Sequence, residues 1–446
     1  MTRRSTLAGM AALGAAGAST VFATGSRAAL PTNADAVVVG AGVAGLAAAA
    51  RLQKRGKKVV VVEAADRIGG RAYTESTTFG VPFDHGCSWI NAGKKNPLRQ
   101  IALDADFDLL NHSNATTAHF VDGRRATAAE RRANDKGWDQ VVDAIEKAGK
   151  AGKDVSAASI MPKDAPHIGS AMTWTGPMDH GVDFADLSTL DYWESVESHP
   201  QYLVREGLGA VVAHQWRDLP VMLNTAVTAI DWSGQGVSVE TTRGTLKARA
   251  ALVTVSTGVI NSGAIRFTPA LPAWKAQAFD DVPMGLLVKV PLQFKGTKLG
   301  LSSNGWVDYA VPPTMPARAC YFVSWPFGYD YSVGFVGGAL GWDLSRAGPE
   351  AAVDFALSEL VNLVGSDARK HFVKGIMSDW ATNPLTMGAY GSARPGRFAA
   401  RADLMRPLGD RIFFAGEAMG VPHHALISGA YKSGRKAAKA LSEAIV

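Results

Sequence analysis

The sequence predicts an α/β fold in which a parallel strand–helix–strand unit near the N-terminus organises the rest of the chain. Three observations point to it. The stretch 36–71 reads AVVVGAGVAGLAAAARLQKRGKKVVVVEAADRIGGR, two valine-rich runs flanking a glycine cluster and an alanine-rich segment. Short apolar runs recur between 221 and 256, separated by turns at Gly234 and Gly244. Near the C-terminus, Arg411 to Glu417 is an apolar run ending on Gly416-Glu417, followed by a helical pattern from about Leu426.

In chain order, Val37 to Val39 forms the first strand and enters a glycine turn. Gly40 permits the turn, Gly42 lets a pyrophosphate approach the backbone, and Gly45 lets helix and strand pack closely. The helix runs to about Arg55, and its N-terminus offers unpaired N–H groups and partial positive charge to phosphates. A second strand, Val59 to Val62, ends on Glu63, whose carboxylate can accept from ribose hydroxyls. This is the Rossmann-like unit of a dinucleotide-binding domain. Beyond it, Arg67 and Arg71 enclose Gly69 and Gly70 in a cationic, backbone-exposed loop able to reach a second part of a long anionic cofactor. The extended pattern E-x-x-x-R-x-G-G-R resembles the signature of flavin amine oxidases. The resemblance implies FAD rather than NAD, on a flavoprotein of the two-dinucleotide-binding-domain type with an inserted α+β substrate domain.

Residues 1–28 read as a signal peptide: Arg3 and Arg4 precede a mildly apolar stretch, and Ser26-Arg27-Ala28 offers small residues for cleavage. Paired arginines suggest twin-arginine export of a folded, cofactor-loaded protein, hence a periplasmic or secreted location. A disordered tail on a cytoplasmic enzyme is the other reading. No stable membrane insertion is expected. The formal charge of +6 carries no basic block of the kind nucleic-acid binders show. At 446 residues and 47% hydrophobic, the chain can fill two ordinary cores. Its 2 cysteines, Cys87 and Cys320, read as free thiols.

Asp84 to Trp89 resembles the D-x-G-x-x-W segment that runs beside the flavin ring in the family. Trp138 to Lys150 has helical spacing, and 151–181 reads as loops and short helices in which His167 and His180 are surface or loop residues. Regularity returns at Tyr202, with a helix from Ala210 to Trp216 and strands Val221–Leu223, Val227–Asp231, Val237–Thr241 and Ala251–Ser256. The resemblance brings the backbone at Val227 to the adenine.

Lys289 lies in the apolar run Val288-Lys289-Val290. Alternation places it opposite its neighbours, which by itself reads as an outward lysine on a half-exposed strand. The element Leu271-Pro272-Ala273-Trp274-Lys275, with Lys289 fourteen residues on, is similar to that of polyamine oxidases and flavin-type histone demethylases. There the matching lysine holds a water against flavin N5. Ala351 to Val364 has an amphipathic pattern. Trp380, Pro384, Gly388 and Tyr390 reproduce the family spacing W-x-x-x-P-x-x-x-G-x-Y, which makes Tyr390 one wall of an aromatic cage. Monoamine oxidases carry a flavin-linked cysteine just before this tyrosine; here Ala389 implies noncovalent FAD. Glu417 matches a residue near the ribityl–pyrophosphate. His423 falls where relatives carry the second cage aromatic, with His424 beside it as the alternative and a turn-capping role for both still open.

The resemblance divides the chain into a discontinuous FAD domain (29–95, 202–270, 380–446) and a substrate domain (96–201, 271–379). It implies an FAD-dependent amine oxidase acting on a primary or secondary, polyamine-like amine. Hydride passes from the amine-bearing carbon to flavin N5, the imine hydrolyses, and O2 or another acceptor takes the electrons. The site would be Lys289, Tyr390 and His423, with no metal and no nucleic acid; the oligomeric state stays open, a homodimer included. An L-amino-acid oxidase would need an arginine clamp, for which Arg318 and Arg394 are candidates. A flavin desaturase would have a wide apolar tunnel, and a noncatalytic FAD-binding protein is the third alternative.

Overall fold

Apolar runs broken by glycine turns produce two seven-stranded sheets in the computed structural model, which describes residues 33–162 and 167–445. The first sheet is parallel at its centre, where Ala34–Val39 lies between Val59–Val62 and Gly244–Val253. The N-terminal half of Gly244–Val253 continues antiparallel into Val237–Thr241, then Val227–Asp231, with Arg266–Thr268 beyond. Its C-terminal end instead takes Ile412–Phe414 as a parallel neighbour, Ala251 opposite Ile412 and Val253 opposite Phe414. The parallel strands therefore finish together at Val39, Val62, Val253 and Phe414, and a crevice opens beyond their carboxyl ends.

Close packing explains the small residues here. A Cβ on Gly45 would stand 1.9 Å from the carbonyl oxygen of Gly40. One on Gly434, in the C-terminal helix Ile427–Ala444, would stand 2.1 Å from that of Ala44. The alanine-rich helix Val43–Lys54 thus sits directly against both strand and C-terminal helix.

Three boundaries differ from the sequence reading. Met222 makes only a single bridge to Val62 in place of the strand expected over 221–223. The strand expected at 251–256 begins earlier, at Gly244, and stops at Val253, beyond which the Thr254 hydroxyl donates to Val39 and Gly40 carbonyls. The helix read from Trp138 starts at Ala128, because Thr127 and Glu130 satisfy each other's backbone N–H groups in a capping box.

The second sheet runs in the order Phe372–Gly375, Leu287–Phe294, Tyr331–Gly337, Tyr321–Ser324, Gly305–Tyr309, Thr117–Val121, Arg124–Arg125. One face, through Val288, Val290 and Leu292, packs on the helices Gly338–Ala347 and Pro349–Val364, which contribute Leu340, Ala352, Ala356 and Leu360. The other, through Leu287, Lys289, Trp306 and Phe335, looks into a large cavity. The first sheet draws its strands from the segments assigned to the FAD domain and the second from those assigned to the substrate domain. The described residues nevertheless pack as one compact unit. The expected leader, 1–28, lies outside the described residues.

Candidate active site

A single cavity of about 1300 Å³ runs from the carboxyl ends of the first sheet to the inner face of the second. It exceeds the roughly 300–1,000 Å³ common for small-ligand sites, so it has room for a dinucleotide and a small substrate together. Its lining includes Gly40, Gly42, Glu63, Gly70, Arg71, Val227, Lys289, Tyr390, Gly416 and Glu417. Gly45 and His423 are the sequence-predicted site residues that do not line it. Among the described residues no group of three His, Cys, Asp or Glu is placed to hold a metal ion.

At the glycine turn, Gly40 has φ +101°, a conformation that L side chains avoid. Gly42 is the N-cap of the helix Val43–Lys54, and a Cβ added to it would meet nothing within 4 Å. Gly42, Val43 and Ala44 all border the cavity, so the orphan N–H groups of the first turn face open space in which a phosphate can sit. Gly70, at φ +57°, closes the other side, its Cβ position 3.2 Å from Gly42 Cα. These residues fit a pyrophosphate. Glu63 accepts from the N–H groups of Ala41 (2.6 Å) and Ala65 (2.9 Å), which fixes its carboxylate at the cavity wall beside Thr225, Ala226 and Val227.

The arginines are less free than the loop pattern suggests. Arg67 donates to the carbonyl of Gly70 at 2.8 Å and stacks over Tyr73. Arg71 reaches across the molecule to the Ala389 carbonyl (2.7 Å) and the Glu417 carboxylate (2.9 Å), which also accepts from Gly391 N. Arg71 and Glu417 thereby clamp the loop after the second strand to the segment carrying Tyr390.

Lys289 overturns the outward-facing reading. Its residue is only 5% exposed, and Nζ donates to the Asp84 carbonyl at 2.8 Å and to Ser88 Oγ at 2.5 Å. Alternation does separate it from Val288 and Val290, but the opposite face is the cavity wall and not solvent. Burial lowers its pKa to about 8, with Asp84 opposing the shift. The Asp84 carboxylate caps the helix Leu208–Gln215 through Leu208 N and Gly209 N. A strand–turn segment thus holds both a helix end and the buried ammonium group. Cys87 shares this wall, and burial pushes its thiol up to about 12, so it stays protonated and unreactive.

Tyr390 pairs with Gly285 in a two-residue ladder, four residues before Lys289, which brings both side chains to one cavity. Its hydroxyl donates to the Met178 carbonyl at 3.4 Å, and burial raises the phenol so that it stays neutral. Behind it, Arg401 makes a bidentate pair with Asp191 (2.5 and 2.7 Å) and donates to the carbonyls of Gly391 and Ala418. Arg401's charge and hydrogen bonds outweigh burial and hold Asp191 near pKa 2.

His423 corrects the cage assignment. Gly429 packs beneath the His423 carbonyl, where a Cβ would stand 2.0 Å away. This turns the imidazole toward Ser428 Oγ (3.0 Å) and Lys432. His423 is buried away from the cavity, and burial, then Lys432, lower its pKa to about 4. His424 is no substitute: its Nε2 bonds Ser195 Oγ and the Asp191 carbonyl, each at 3.0 Å. The residues of this turn that do line the cavity are Ala425, Leu426 and Ile427. The arginine candidates Arg318 and Arg394 also stay outside it, Arg394 donating to the Asp280 carbonyl.

Sequence reasoning missed much of the far wall. Trp89 stacks on Trp306 with centroids 5.5 Å apart, and Trp174 meets Trp306 edge-on at 5.0 Å. Asp308, buried in the same strand as Trp306, accepts from His119 Nδ1 (2.8 Å) and Trp174 Nε1 (3.2 Å). An ionisable residue inside an apolar strand was the available signal. Asp179 had no such signal, since it ends a short helical turn in an irregular region.

Comparison with known proteins agrees with this geometry. A model described as flavin containing amine oxidoreductase matches residues 43–183 and 187–442, and one for pyridine nucleotide-disulphide oxidoreductases matches 3–80. Polyamine oxidase 5 of Oryza sativa subsp. japonica is 29% identical, over 90% of this chain and 86% of that protein. Probable polyamine oxidase 4 of Arabidopsis thaliana is 30% identical over the same shares. Among solved structures, a putrescine oxidase bound to putrescine superposes with a TM-score of 0.74 at 20% identity, covering 92% of this chain and 99% of that one.

Proposed function

This chain belongs to the flavin-containing amine oxidoreductases and is an FAD enzyme; from that premise we propose that it oxidises a polyamine-like primary or secondary amine at the carbon beside one nitrogen. The observation that carries the reading is the meeting of Lys289 and Tyr390 in the cavity that begins at the Gly42 phosphate cradle. Relatives named for polyamines and putrescine support the substrate class.

Bound FAD supplies the acceptor for a hydride from the substrate carbon. The chain's own residues do the rest. Gly42, Val43 and Gly70 would hold the pyrophosphate, and Glu63 and the Val227 backbone would border the adenosine end. Lys289 uses two of three donors on Asp84 and Ser88, and the third has no hydrogen-bond acceptor among the described residues. It is free to hold a water or face developing negative charge. Tyr390, neutral and half-buried, walls the site and aligns an uncharged amine without competing for its proton. Trp89, Trp174, Trp306 and Phe335 keep the substrate end apolar, which favours the neutral amine over its ammonium form. As hydride leaves, the nitrogen lone pair forms the C=N bond, and water then releases an aldehyde or ketone together with ammonia from a primary amine or the shortened amine from a secondary one. The electrons pass to O2, yielding peroxide, or to another acceptor.

Anaerobic mixing of the yellow protein with putrescine, spermidine, simple monoamines and L-amino acids tests the reading. Amines should bleach the flavin and amino acids should not, and air should restore the colour with peroxide. Bleaching by amino acids alone would move the assignment to the amino-acid oxidase. Failure of every amine would overturn it.

A further inference from the structure

A second, much smaller hollow lies behind Lys289. Its volume is about 40 Å³, enough for one or two molecules the size of water. Lys289, Ser88, Trp89 and Phe335 border both this hollow and the large cavity, so these four side chains form the partition between them. The rings of Phe83, Trp89 and Phe335 stand 5.9, 6.0 and 6.0 Å from Lys289 Nζ, which sets the ammonium into an aromatic wall. Away from the partition the hollow passes the buried side chains of Val204, Val323 and Val333 to an outer rim of Arg205, Phe327 and Tyr329.

That rim is built on a constrained turn. Arg205, paired with Asp108, lies over the Phe327 ring at 4.8 Å, and Phe327 keeps φ +54°, which bulky residues rarely adopt. Asn304 Oδ1 braces the turn by accepting from Phe327 N at 2.6 Å. The polar groups along the hollow are already spent. The Asp84 carbonyl and Ser88 Oγ accept from Lys289, the Tyr331 hydroxyl donates to the Pro82 carbonyl and the Tyr329 hydroxyl to that of Arg205. A buried water needs about two to four polar partners, so the hollow suits a small apolar guest better.

We propose that this hollow admits and holds dioxygen, by a path separate from the cavity the amine uses. Dioxygen there lies against the partition that carries the Lys289 ammonium. Two electrons and two protons from the reduced flavin convert O2 to hydrogen peroxide and leave the flavin oxidised, and the negative charge that builds on oxygen faces the ammonium. Amine or product can then occupy the large cavity without blocking reoxidation. This rests on the reading of the chain as an FAD enzyme and makes O2 its acceptor.

Crystals of the wild-type protein pressurised with xenon, a guest of dry apolar cavities, test occupancy. Xenon should appear in the hollow and be absent from it in Val333→Phe. Stopped-flow mixing of photoreduced enzyme with aerated buffer reads delivery. The second-order rate of reoxidation should fall about tenfold or more in Val333→Phe, as for a barrier added to entry, while flavin reduction by amine keeps its wild-type rate. Val333→Met, whose flexible side chain adapts to irregular gaps, fills the same space if phenylalanine prevents folding. No xenon in the wild-type hollow, or reoxidation as fast in the filled variants as in wild type, overturns the proposal. So does a photoreduced flavin that air does not reoxidise, which leaves amine oxidation standing. A flavin that light reduces but no amine bleaches overturns the amine reading alone.

Discussion

A lysine in a valine-rich strand shows how far one residue's chemistry is set by the face it occupies. Lys289 is forced out of the packed layer by alternation, yet the only other side of its strand is a protein-walled cavity. Desolvation brings its pKa from 10.5 to about 8, so the ammonium form dominates below about pH 8 and is lost above it. If its charge faces the reduced flavin, wild-type reoxidation should slow as pH rises through about 8. Lys289→Met should be slower by about 100-fold and lose that step, the scale seen when one preorganised donor is removed. Stopped-flow mixing of reduced enzyme with aerated buffer reads both. Equal rates at every pH, with FAD still bound, would return Lys289 to bracing Asp84 and Ser88.

At the scale of the element, the glycine turn separates two demands that look alike in sequence. Gly45 is needed by the fold, because a Cβ there would collide with the Gly40 carbonyl. Gly42 is needed by the ligand, because its Cβ position is empty protein-free space at a φ of −70° that alanine adopts readily. Gly42→Ala should therefore leave the melting temperature of the FAD-free protein within a few degrees of wild type while weakening FAD binding at least tenfold. Gly45→Ala should lower that melting temperature outright, the overpacking costing about 1–3 kcal/mol. Thermal melts of stripped protein and flavin titration distinguish them, and equal behaviour of the two variants would contradict the assignment. The turn 421–426 carries the same lesson, since its path against Gly429 decides which residues reach the cavity.

For the whole molecule, the cavity is bounded by both sheets, so a cofactor that fills it would be held by two layers that must be folded together. Among the described residues no reactive thiol faces the cavity: Ala389 has none, and Cys87, though it borders the cavity, is kept protonated. Unfolding alone should then free the cofactor. Acid precipitation should leave all yellow colour in the supernatant, and flavin remaining with the pellet would contradict noncovalent binding.

The sequence by itself determined the strand–helix–strand unit and the order of the β-meander, while the resemblance to flavin amine oxidases singled out Lys289 and Tyr390. The unit and the meander follow from local rules: glycine where a turn or a close approach forbids a side chain, and β-branched runs where strands pair. Only the tertiary structure decided what those residues face. It turned His423 and His424 into the protein and committed Arg71 to Glu417. A side chain's surroundings depend on elements far off in the chain, as Gly429 does for His423 and residues 84–88 do for Lys289, and no local pattern encodes those distances.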